Sequence, residues 1–97
     1  MFTGLVEETG VLRKLERRRG SVLFFIEGKK TGKRLKRNDS ISVDGVCLTV
    51  IGRRGKTFCV QAVEETLKKT AWGGLRKGAL VNLERPLLPT SLLGGHF

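Results

Sequence analysis

In the segment Asp44-Gly45-Val46-Cys47-Leu48-Thr49 a thiol and a hydroxyl stand two positions apart. An extended backbone puts Cys47 and Thr49 on one face, directly after a tight turn. A ligand on that face meets a weak donor and a strong one together; the competing reading is a Cys and a Thr on the half-buried face of a strand. A cysteine and a histidine can form a nucleophile-base pair, and His96 is the only imidazole. No Asp or Asn can be nominated to orient it, and a lone histidine so near the last residue is more often a solvated one. Cys47 and Cys59 form no Cys-x-x-Cys motif, and one His leaves too few ligands for zinc, so the expected metal is none. Both are read as reduced thiols in strands, able to face each other across a hairpin.

Charge offers a second chemistry. Arg13 to Arg19 holds five basic residues, Lys29 to Arg37 holds six, and Arg53, Arg54 and Lys56 add three. Cations at turns of a small β domain can track phosphates, with aromatic rings stacking bases. In the sequence, however, Phe2, Phe24, Phe25, Phe58, Trp72 and Phe97 all fall outside these clusters, which favours solvated turns. No GxGxxG, phosphate loop, HExxH or GxSxG occurs, so the enzyme classes those motifs mark have no support.

The elements that must hold these residues follow period two. Phe2 to Leu15 reads as one long or broken strand punctuated by Gly4 and Gly10, and Ser21 to Glu27 as its hairpin partner after Arg18-Arg19-Gly20. Ser40–Val43 and Val46–Ile51 flank Asp44-Gly45, a pair that readily takes positive φ. Thr57–Val63 follows the next Gly turn, and Leu80–Glu84 precedes Pro86. Glu64 to Thr70 is the one credible helix, with acids in its first turn and lysines in its last. Six short strands favour an all-β closed barrel, which removes its own sheet edges.

Ninety-seven residues fit one domain, 1–97, with a small core, and 39% hydrophobic content argues against disorder despite a net charge of +10. No apolar run approaches a membrane span, and the first residues do not read as a secretory signal, so a cytoplasmic protein is expected. The segment from Leu87 to Phe97 carries four Leu and a Phe, and is expected to pack on its own barrel or on a second copy.

Five features, in order, go further: Met1-Phe2-Thr3-Gly4-Leu5-Val6-Glu7, the strand from Asp44 to Val50, Glu65-Thr66-Leu67 with Thr70, Val81-Asn82-Leu83-Glu84-Arg85, and Gly94-Gly95-His96. Together they resemble riboflavin synthase, specifically its N-terminal lumazine-binding barrel, over essentially the whole chain. The resemblance implies a six-stranded antiparallel Greek-key barrel. It also implies a dismutation in which two molecules of 6,7-dimethyl-8-ribityllumazine exchange a four-carbon unit, giving riboflavin and 5-amino-6-ribitylaminopyrimidinedione, with no metal and no redox cofactor.

By the same resemblance, Gly4, Leu5 and Val6, then Cys47, Leu48 and Thr49, then Gln61, Ala62, Val63 and Thr66 line the ring pocket. Phe2, Thr3, Cys47 and His96 are the catalytic expectations. The family's full-length chain repeats the barrel and builds its site between barrels of different subunits in a homotrimer. One barrel alone is expected to bind one ligand, to pair as a homodimer and to turn over slowly or not at all. The other readings are a non-catalytic lumazine or flavin carrier and, from the charge, a nucleic-acid-binding barrel.

Overall fold

The computed structural model describes residues 2–86. The alternating segments form six strands: β1 (Glu8–Arg18), β2 (Ser21–Glu27), β3 (Ser40–Val43), β4 (Val46–Arg54), β5 (Thr57–Val63) and β6 (Leu80–Glu84). A short helix, α1 (Glu64–Lys69), follows β5, and 3₁₀ turns lie at Gly32–Arg34 and Ala71–Gly74. Every pairing is antiparallel, and the strands close into a barrel in the order β1-β2-β5-β4-β3-β6. Strands β3, β4 and β5 are hairpin-connected neighbours, and β6 returns by a long connection beside β3, which makes a Greek key. The fold is the expected one.

Period two explains the interior. Leu12, Val22, Phe24, Ile26, Ile41, Val43, Leu48, Val50, Phe58, Val60, Ala62, Val81 and Leu83 point inward and are buried together. Trp72, carried by the turn after α1, closes one end against Phe24, with ring centroids 4.6 Å apart at 80°. Leu35, after the Gly32–Arg34 turn, is buried from the connection between β2 and β3. Asp44 (φ 49°) and Gly45 (φ 81°) both take the left-handed conformation that a two-residue hairpin turn requires.

The first strand departs from the sequence reading. It begins at Glu8 and runs to Arg18, while residues 2–7 leave the ladder to cross the end of β6. The cause is Glu84, whose carboxylate takes up the Thr3 and Gly4 amides that a strand would have given to a neighbour. The thiols do not face each other either. Cys59 is buried opposite Gly52, and Cys47 is exposed opposite Ser42; both are free. Among the described residues no helix is long and apolar enough to cross a membrane.

Candidate functional site

The hydrogen-bonded ladder of the barrel wall is interrupted between β4 and β5. Strands β4 and β5 pair from Val50↔Val60 to Arg54↔Thr57, and the pairing extends neither to Cys47–Thr49 nor to Gln61–Val63. Each flank is held by its other neighbour, since Ser42↔Cys47 and Ser40↔Thr49 tie β4 to β3, while Leu23↔Gln61 and Ser21↔Val63 tie β5 to β2. The result is a seam of backbone unpaired across it, at a fixed position in a rigid wall. Flat heterocycles with alternating carbonyls and ring nitrogens are bound by such groups.

The side chains around the seam alternate strictly. Leu48 and Ala62 point into the core, so only their backbone reaches the outer surface. Cys47, Thr49, Gln61 and Val63 point outward and are exposed, Val63 at 51%. Gln61 Nε2 donates to Ser21 Oγ at 2.9 Å, which holds its amide along the strand. Thr66, half-buried in α1, stands three residues past Val63 and accepts on its carbonyl from Thr70 Oγ1 at 2.8 Å.

The N-terminal segment lies on β6, on the far side of β3 from the seam. The registers Ser42↔Glu84 and Ser42↔Cys47 form a row across β6, β3 and β4 on the outer face, ending at the seam. At the head of this row Glu84 is buried, and it accepts from Thr3 Oγ1 at 2.8 Å, from the Thr3 amide and from the Gly4 amide. Burial pushes its pKa up, but the hydrogen bonds from the Thr3 hydroxyl, the Thr3 amide and the Gly4 amide outweigh it, and the carboxyl sits below the ordinary glutamate value. Gly4 and Val6 thereby border a pocket of about 280 Å³ with Ser42, Asp44, Gly45, Asn82 and Glu84. Leu5 and Val6 are exposed at 73% and 53%, large apolar side chains offered to solvent beside a polar pocket. Asp44 is locked to β6 by Asn82 N donating to its Oδ1 at 2.6 Å.

The lumazine binding domain family matches residues 3–86 of this chain. The chain belongs to that family. Riboflavin synthase of Bacillus amyloliquefaciens is 42% identical over 97 residues, and that of Bacillus subtilis (strain 168) 38%. Each alignment covers the whole chain but 45% of the relative, so the chain spans about half the length of the curated relatives it matches. A crystal structure of LumP complexed with 6,7-dimethyl-8-(1'-D-ribityl) lumazine superposes with a TM-score of 0.80 at 24% identity, over 89% of this chain and 48% of that one. That likeness is one of fold.

As a lumazine-binding domain the chain brings most of its expected site residues to one surface. Cys47, Thr49, Gln61 and Val63 gather at the seam, Thr66 stands on α1 three residues past Val63, and Gly4, Leu5 and Val6 lie at the Glu84 end of the adjoining row. Phe2 and Thr3 belong to the anchored segment; His96 lies outside the described residues. Two residues escaped sequence reasoning, Ser42 as the bridge between the two groups and Glu84 as the anchor. Ser42 had a signal, being the first-strand partner of Cys47 across the Asp44-Gly45 turn. Glu84 stood out only as part of the Val81–Arg85 motif, and nothing marked it as an anchor, since 81 positions separate it from Thr3. Among the described residues no three His, Cys, Asp or Glu side chains cluster as a metal ion needs. Burial foremost, with Glu16 behind it, pushes the Cys59 thiol up, away from nucleophilic use.

Proposed function

We propose that this barrel binds one 6,7-dimethyl-8-ribityllumazine or riboflavin on its outer wall. The ring lies over the seam between Cys47–Thr49 and Gln61–Val63, and the N-terminal segment covers its edge. The observation that carries this reading is the interrupted ladder between β4 and β5, flanked by outward Cys47, Thr49, Gln61 and Val63. Backbone donors and acceptors there read ring carbonyls and nitrogens without reorganising, and the Thr49 hydroxyl adds a directional contact.

In a protein of its relatives' length, this barrel supplies half of a riboflavin synthase site. The dismutation sets two lumazines face to face, and the 7-methyl group of one loses a proton to give the attacking carbanion. A wall that fixes one ring contributes by orientation, and by donors aimed at the oxygens where that negative charge is spread. Phe2 and Thr3 stand at the edge where a second ring approaches, fastened through Glu84. A homodimer of the chain places two such walls against each other.

A fluorescence titration with riboflavin and with the lumazine, followed for hours, tests this. Saturable quenching is expected from the 97-residue chain, and Thr49→Val weakens it about fivefold for the loss of one neutral hydrogen bond of about 1 kcal/mol. Conversion of lumazine is absent or slow without the second barrel. No binding at hundreds of micromolar, or unchanged affinity in both Thr49→Val and a seam-blocking Val63→Trp variant, refutes the reading.

A further inference from the structure

The basic clusters take no part in the pigment site, and the fold gives part of them a common address. Across four strands the registers Lys14↔Phe25, Phe25↔Cys59 and Cys59↔Gly52 form one straight row on the outer face. Side-chain size falls along it from a ring to a thiol to nothing. A Cβ built on Gly52 meets no atom within 4 Å. The row therefore leaves a groove of about 540 Å³ beside the Phe25 ring, floored by Cys59 and Gly52 and rimmed by Arg13, Lys14, Arg53 and Arg54. Lys14 Nζ stands 5.1 Å from the Phe25 centroid. Aromatic and cations, separated in the sequence, are interleaved in space.

The rim cations are held only lightly. Arg13 Nε is 2.8 Å from Glu27 and Lys14 Nζ 3.7 Å from Glu16, both pairs with exposed cations for which a phosphate can replace the carboxylate. Arg53 donates to the Gly55 carbonyl, and among the described residues Arg54 makes no ion pair. The cationic track continues past the groove. Gly28 N donates to Lys56 O at 2.9 Å, which brings the turn bearing Lys29, Lys30, Lys33 and Arg34 beside the β4–β5 hairpin.

The geometry points to a docking site for a single-stranded polynucleotide. One base lies over Cys59 and Gly52 against Phe25, and neighbouring phosphates rest on Arg13, Lys14, Arg53 and Arg54. Charge complementarity selects a polyanion over a mononucleotide, whose few phosphates would leave most of the track unused. The flat apolar slot selects a nucleic acid over an acidic peptide, because every base has a face to stack. This site is separate from the pigment seam, and its occupant does not depend on that reading.

The test is fluorescence anisotropy of a labelled single-stranded oligothymidylate of about 12 nucleotides, titrated with the 97-residue chain across a salt series. The log–log salt slope is expected at about −3 or steeper, for four or more phosphate contacts at about 0.7 each. Arg53→Gln with Arg54→Gln lowers that slope by about 1.4. Phe25→Leu weakens binding at least about fivefold, and Gly52→Leu, which fills the groove and keeps every charge, weakens it likewise. Circular dichroism confirms that each variant is folded. Three results overturn the proposal: a flat salt dependence; Gly52→Leu and Phe25→Leu both binding as the parent does; or thymidine monophosphate competing as well as the oligomer per nucleotide. Equal loss on neutralising Arg17 and Arg19, at the end of β1 and in the turn beyond it and outside the groove lining, also overturns it, because the site would then be diffuse charge.

Discussion

Substituting alanine for Gly32 and, separately, for Gly52 makes the same chemical change at two glycines with opposite surroundings. Gly32 N donates to Gly28 O at 2.9 Å, and Gly28 N donates to Lys56 O at the same distance, so the turn after β2 is pinned to the β4–β5 hairpin. A Cβ on Gly32 falls 2.9 Å from the Lys56 carbonyl carbon, 3.3 Å from its Cα, and nearer still to its oxygen. Unstrained carbon contacts begin at about 3.5 Å. The obstacle is backbone and cannot swing aside, so the turn must retreat. That sacrifices the Gly28–Lys56 hydrogen bond, about 1 kcal/mol, and adds overpacking strain of about 1–3 kcal/mol. Gly32→Ala is therefore expected to cost about 3 kcal/mol and to lower Tm by about 12–24 °C for a chain of this size. Gly52→Ala meets open space at a backbone angle outside the left-handed region, and should be neutral or stabilise by up to about 1 kcal/mol through the unfolded state. Urea unfolding followed by Trp72, the single tryptophan and a buried one, reads both variants on one scale with an unchanged m-value. A loss below about 1 kcal/mol in Gly32→Ala, or equal losses in the two, refutes the packing argument.

Further outcomes follow from the same contacts. Glu84→Gln weakens the grip on the N-terminal segment, and hydrogen exchange at the Thr3 and Gly4 amides should accelerate; unchanged protection would refute the anchor. Because the Glu84 carboxyl lies below its ordinary value, its stabilisation is present above the unfolded glutamate pKa of about 4.3 and is lost as pH falls through the lower folded value. The Gly4 amide shift in an NMR pH titration should therefore move only in that acid window. Thr31, buried with its hydroxyl and amide on Glu8, loses a charge-assisted bond in Thr31→Val, at about 2 kcal/mol by urea unfolding. The same change lets the lowered Glu8 carboxyl rise, since burial then meets less opposition. Phe24→Ala removes the ring that Trp72 packs against and should cost about 3–5 kcal/mol, with a red-shifted tryptophan emission as the independent sign.

How far the sequence speaks depends on the range of each interaction. The strands and their inward faces follow from period two, and the Asp44-Gly45 hairpin from the conformational demand of its turn. Both are local, and both appear as expected except at β1, which begins at Glu8 rather than Phe2. The seam is not local. It arises where β4 and β5, each tied to another neighbour, stop pairing beyond Val50↔Val60, near the register shift between Val50 and Gly52. Leu48 and Ala62 show the limit from the other side: they flank the proposed site by position, but their side chains serve the core. Glu84 and Thr3 meet only because the barrel closes, and Phe25 joins Lys14 and Gly52 only because β2 lies between β1 and β5.

Closure also determines whether the two proposed sites communicate. Thr49 and Gly52 are three residues apart on β4, about 10 Å along an extended strand, and the register shift lies between them. They share no hydrogen-bond partner among the described side chains, and the buried Val50 between them is fixed in the core. Sites at that separation without common partners add to within about 0.5 kcal/mol. Thr49→Val should therefore weaken pigment and spare the oligonucleotide, Gly52→Leu should do the reverse, and the double variant should show both losses undiminished. A coupling above about 1 kcal/mol in either titration would mean that the β4 bulge moves as one unit. The wall would then be a two-state element that transmits occupancy from one end of β4 to the other.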